Sequence, residues 1–95
     1  MRKIKLDSGS PEEVKKFLRN NEHMVWGLIL DAIVYAIEND LEEKQVFEFD
    51  PPIEELFVLK HSFTESLQKG IVIFEKYEDY EKCGVCLKLI KELSI

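Results

Sequence analysis

The chain is poor in cysteine, proline, glycine and histidine, with two, three, four and two of each among 95 residues. So little proline and glycine excludes a collagen-like repeat or a flexible linker. Two cysteines cannot build the disulfide framework of a secreted mini-protein, so a reducing, cytoplasmic setting is the expectation. Long apolar runs are missing as well. The most apolar stretch, Met24 to Ile37, covers fourteen residues and is interrupted by Asp31. A bilayer span needs roughly 20 apolar residues, so this stretch reads as a buried helix. The opening Met1-Arg2-Lys3-Ile4-Lys5-Leu6-Asp7 is basic but has no apolar segment behind it, unlike an export signal.

Positive charge is also in deficit, 13 Lys and Arg against 19 Asp and Glu, for a net −6. A general nucleic-acid binder would need clustered positive charge to displace counterions, so that function is not expected. Nucleotide and serine-hydrolase signatures are absent: there is no G-x-x-x-x-G-K-[ST], G-x-G-x-x-G or G-x-S-x-G. Zinc-protease H-E-x-x-H is missing too, and no acidic loop has the central glycine of a calcium site. The chain is thus expected to be non-enzymatic and to carry no cofactor.

What is there is an ordinary soluble mixture, 45% apolar and 34% charged, long enough for one domain over residues 1–95. Ile4 and Leu6 alternate with Lys3, Lys5 and Asp7 as in a short half-buried strand. Ser10-Pro11-Glu12-Glu13 then starts a helix: serine caps, proline suits the first turn, and Glu13 completes a capping box. Val14, Phe17 and Leu18 form its apolar face, and Asn20-Asn21 ends it.

A second helix is predicted from about Glu22 to Glu43. Its apolar residues cover most of the circumference and leave only a narrow stripe of Gly27, Asp31, Glu38 and Glu42. Such a helix must be surrounded by protein, so a homodimer through it or through the C-terminal helices is expected.

Gln45 to Phe49 alternates again, and Asp50-Pro51-Pro52 stops it. A third helix is predicted from near Ile53, with Leu56, Phe57, Leu59, Phe63 and Leu67 on one face, running through Gly70 to about Tyr77. The alternative at Gly70-Ile71-Val72-Ile73-Phe74 is a strand after a glycine cap. A faint internal echo supports the helix start at Ile53. Lys5-Leu6-Asp7 followed by Pro11-Glu12-Glu13-Val14 parallels Glu48-Phe49-Asp50 followed by Pro52-Ile53-Glu54-Glu55-Leu56. The last helix runs from Tyr80 to Leu93, with Cys83, Cys86, Leu87, Ile90 and Leu93 as its stripe. The stretch from Glu75 to Leu93 resembles the short helical hairpins through which the bacterial UvrB and UvrC repair proteins contact each other. It covers about a fifth of the chain and departs from that motif at Cys83-Gly84, so no residue role is carried over. The fold class that follows is mainly α, a bundle of about four helices with a two-stranded element joining residues 3–6 to 45–49.

Few residues suggest chemistry. Cys83-Gly84-Val85-Cys86 stands nine residues from the last position, which excludes a thioredoxin-type site. Cysteines three apart on a helix share a face and could offer two thiolates to a metal-bridged oligomer acting as a sensor. On an apolar stripe they more often pack as small hydrophobes. His23 and His61 are too few for a metal site; His61 and Glu65 have i, i+4 spacing, and His23 is expected to be exposed. Asp31 reads as a solvated helix edge.

The strongest hint is charge placement. Residues 1–20 carry +3, residues 21–55 carry −9 and residues 56–95 balance. Glu38, Asp40, Glu42, Glu43 and Glu48 are therefore the candidate contact residues. The expected function is an acidic interaction module, of the inhibitor, immunity, antitoxin or phage-modulator kind, docking on a basic protein surface.

Overall fold

The computed structural model describes residues 3–51 and 54–94. Strand β1 (Lys3–Ile4) leads to helix α1 (Pro11–Asn20) and helix α2 (Glu22–Glu38). A hairpin of β2 (Glu43–Phe49) and β3 (Glu54–Leu59) follows, and a short 3-10 turn, Lys60–Ser62, leads into α3 (Phe63–Lys76) and α4 (Tyr80–Leu93). The four helices match the expected number, but the small sheet has three strands in the order β1-β2-β3. β1 runs parallel to β2, with Lys3 opposite Glu48 and Ile4 opposite Phe49, while β2 and β3 are antiparallel. The pairing of the two predicted strands is therefore present, within a mixed sheet that a two-stranded element does not describe. No helix among the described residues is long and apolar enough to cross a membrane.

The start of α1 follows from its residues. Ser10 Oγ accepts the Glu13 N–H at 3.2 Å, and Pro11 opens the helix. The Glu13 carboxylate reaches past Ser10 to the N–H groups of Ser8 and Gly9, both at 2.9 Å. Gly9, at φ 68°, bends the chain in the left-handed region, so the box closes one and two residues before the usual N-cap N–H.

Helix α2 ends at Glu38, five residues short of the predicted Glu43. Asp40 sits at φ 51°; its N–H donates to Ile37 O at 3.3 Å, and the Leu41 N–H donates to Ala36 O at 2.8 Å. This is the Schellman arrangement, made with aspartate where glycine is usual. Glu42 consequently leaves the predicted helical stripe, and Glu43, the predicted end of the helix, becomes the first residue of β2.

The larger correction is β3, predicted as the opening of a helix. Leu56 and Val58 face α2, whereas Phe57 and Leu59 point to the opposite side and stay exposed. Four consecutive apolar residues hide a two-residue alternation, and the spacing of Leu56, Leu59 and Phe63 imitates a helical stripe. The echo around Pro52-Ile53 fails for the same reason: Glu54 and Glu55 belong to a strand, while Pro52 and Ile53 lie outside the described residues. The turn between β2 and β3 contains a cis Asp50-Pro51 bond. Beyond it, α3 continues through Gly70 as predicted, and an ideal Cβ there would lie in ordinary contact with Phe74, Cys86 and Trp26 at 3.5–3.7 Å. Only a small residue lets α2 and α4 approach this closely.

Two apolar clusters meet on α2. One joins Ile4, Phe47 and Phe49 of the sheet with Val25 and the half-buried Val14, Phe17 and Leu18 of α1. The Phe17 and Phe49 rings meet edge to face at 5.7 Å. The other joins Leu30, Ile33 and Ala36 with Phe63, Leu67 and Phe74 of α3 and Cys83, Cys86 and Leu89 of α4. On α4, Leu89 takes the buried place expected for Leu87, which is exposed. Much of the apolar circumference of α2 is thus covered by this chain's own sheet and α3–α4 hairpin, with Met24, Trp26, Leu28, Ile29, Val34 and Ile37 half-buried.

Candidate functional site at the acidic end

Glu38 closes α2, Asp40 and Glu42 lie in the turn that follows, and Glu43 opens β2. The Schellman cap turns the chain sharply, so all four residues sit at one end of the molecule and are exposed, with Glu43, opposite Leu59, on the sheet face turned away from α2. Lys60, directly after β3, reaches Asp40 Oδ1 and Glu42 Oε1, each at 3.7 Å. Both contacts are long and open to water, so one ammonium leaves most of the negative charge unneutralised. Next to these acids is a cleft of about 160 Å³, lined by Ala36, Ile37, Asp40, Leu41, Lys60, Phe63 and Leu93. Its floor is apolar, Asp40 and Lys60 are its charged lining, and at about half the volume of the smallest usual small-molecule pocket it fits a single side chain. On the α2 face nearby, Lys44 Nζ lies 5.2 Å from the centre of the exposed Tyr35 ring.

Glu48 does not join this group. It stands five residues along β2, half-buried, and pairs with Lys3 Nζ at 3.4 Å. A run of acidic residues in sequence cannot show that a strand separates its two ends by about 3.3 Å per residue.

A second polar cluster was invisible in the sequence. Asp79 caps α4, its Oδ1 accepting the Lys82 N–H at 3.4 Å; its Oδ2 contacts Lys82 Nζ at 2.9 Å and His23 Nε2 at 2.8 Å. The Lys82 ammonium first, and His23 second, hold the Asp79 carboxyl down at about 2. His23 stacks flat on Tyr77 at 4.9 Å; its side chain keeps the exposure expected of it, at 43%, and is also anchored. Nearby, Glu22 Oε1 accepts Lys76 Nζ at 2.9 Å and Tyr77 Oη at 3.2 Å, and the Lys76 bond holds Glu22 below its usual value. These contacts fasten the start of α2 to the α3–α4 turn. Residues 55 positions apart meet here, which no local pattern announces. Asp31 is exposed, as expected of a helix edge, and Glu65 pairs with Lys69 at 3.4 Å.

The cysteines face the core. Cys83 and Cys86 are both free and buried, and the Cys83 thiol donates to Ile71 O at 3.6 Å. Burial pushes the Cys86 thiol up to about 11, and burial likewise raises Cys83. Both are therefore protonated at neutral pH, whereas a metal or an electrophile needs the thiolate. Among the described residues no group of three His, Cys, Asp or Glu side chains is placed to hold a metal ion.

A roomier cleft of about 380 Å³ lies between α1, α2 and β3, lined by Leu18, Arg19, Glu22, Val25, Trp26, Ile29 and Leu56. One cation faces one carboxylate there, so it has no charge preference. No protein-family model, characterised protein or solved structure matches this chain.

Proposed function

We infer that the protein is a non-enzymatic interaction module whose acidic end docks on a basic surface of another protein. The observation that supports this reading best is the cleft beside Glu38, Asp40, Glu42 and Glu43. Carboxylates alone make a solvated face, but here Asp40, together with Lys60, borders an apolar floor of Ala36, Ile37, Leu41, Phe63 and Leu93, and the other three acids stand nearby in the chain. Such a site suits an apolar or long aliphatic side chain flanked by Lys or Arg on the partner. The acidic end speeds encounter and selects the sign of charge, and the apolar floor supplies the anchor. Glu48, separated from these acids and paired with Lys3, is dropped from the contact set.

The test is a tagged pull-down from native lysate at low and high salt, comparing the natural chain with Glu38→Gln/Glu42→Gln/Glu43→Gln. A stoichiometric protein that elutes with salt and is lost from the triple variant supports the docking role. A partner retained equally by both, or none captured by the well-folded natural chain, removes the acidic end from consideration. Glu48→Gln is the control and leaves capture unchanged.

A further inference from the structure

β3 is an edge strand: among the described residues it pairs with β2 alone. The Lys60 N–H donates to Glu42 O at 2.8 Å, so the main chain of Lys60 faces β2. Hydrogen-bonding direction alternates along a strand, so Val58, Leu56 and Glu54 also face β2. The N–H and C=O groups of Glu55, Phe57 and Leu59 therefore line the free edge. Their side chains share the sheet face turned away from α2, where Phe57 is 41% and Leu59 38% exposed. An open edge carrying large apolar side chains is a template for another strand.

The charge order along this edge indicates which strand. Glu54 and Glu55 stand at its start, and Lys60, whose long contacts to Asp40 and Glu42 of its own chain are open to water, follows its end. Parallel pairing with an identical strand would set carboxylate against carboxylate. Antiparallel pairing about a two-fold axis at Phe57 places Glu54 opposite Lys60 of the second copy, Glu55 opposite Leu59, and Phe57 opposite Phe57. All three outward-facing residues then enter the ladder, giving about six backbone hydrogen bonds across the junction. Opposite charges and apolar side chains meet in the same register that satisfies the backbone, as an isologous contact requires.

We propose that β3 pairs antiparallel with β3 of a second copy, centred on Phe57, to form a continuous six-stranded sheet across a symmetric dimer. This goes beyond the docking role of the acidic end and stands or falls independently of it. Sedimentation velocity over a concentration series tests it, with a species of twice the 11.2 kDa chain mass expected. Phe57→Lys sets two ammonium groups against each other on the axis and raises the dissociation constant by roughly tenfold or more, with unchanged circular dichroism. Glu54→Lys, on an exposed side chain, opposes Lys60 of the second copy and weakens the dimer in the same direction. A chain that sediments as a monomer at every concentration overturns the proposal, and so does a dimer indifferent to both substitutions.

Discussion

Asp40 and Glu78 do the work that glycine usually does at the end of a helix. Glu78, at φ 57°, follows α3, its N–H donating to Glu75 O at 3.0 Å, while the Asp79 N–H donates to Phe74 O at 2.8 Å. A side chain in this left-handed conformation costs roughly 1 kcal/mol, less for aspartate than for glutamate. Glu78→Gly is therefore expected to stabilise the protein by about 0.5–1 kcal/mol in urea unfolding, and Asp40→Gly by less. If Glu78→Gly instead destabilises, the carboxylate makes an interaction that the cap geometry does not include. The same residue scale governs the thiols. Cys86 is fully enclosed and Cys83 nearly so, so alkylation of the folded protein at pH 8 should be slow and become rapid in denaturant. Fast labelling of the folded chain would contradict the buried, protonated state of both groups.

At the scale of elements, α2 and the α3–α4 turn are clamped by Asp79. Its carboxyl ionises at about 2 in the folded chain against an ordinary value of 3.8, so folding favours the charged form. The stability this contributes is complete above about pH 4 and disappears as pH falls through about 2. Asp79→Asn should lower Tm at pH 7 and flatten the decline of Tm between pH 4 and 2; equal acid slopes for both proteins would show that the clamp has no energetic role. The elements themselves differed in how readable they were. α1 and α4 carry local signals that survive folding, the Ser10-Pro11 cap and a stripe broken by an acidic turn. β3 carried a local signal pointing the wrong way, since its exposed Phe57 and Leu59 filled the gaps that would have shown alternation. The end of α2 was hidden because aspartate, not glycine, occupies the left-handed position. The candidate acidic residues were legible as a run of charge, but the separation of Glu38, Asp40, Glu42 and Glu43 at one end from Glu48 depends on that hidden cap. The His23-Asp79-Lys82 cluster depends wholly on tertiary approach and left no trace in the order of residues.

Across the whole molecule, which measures 44 × 29 × 17 Å, cooperativity runs through α2. The sheet cluster and the α3–α4 cluster are joined chiefly by this helix, which gives Val25 to one and Leu30, Ile33 and Ala36 to the other, while Val46 packs against both and Val58 of β3 belongs to the second. Truncating the fully buried Phe74 should cost about 3–5 kcal/mol. Because α2 cannot keep its place with one side uncovered, that loss should lower the transition seen by circular dichroism and by Trp26 fluorescence equally. The exception is α1. None of its residues is fully buried, and Val14, Phe17 and Leu18 are only half-covered where it rests on the sheet. An element held by so little enclosed area opens without the rest. Native-state hydrogen exchange should accordingly place the mid-helix amides of α1 well below those of α2 in opening free energy. Phe74→Ala should lower the α2 values while leaving the α1 values nearly unchanged. Exchange from α1 and α2 at one common free energy would instead make the first helix part of the cooperative core, and its capped start would then be a determinant of global rather than local stability.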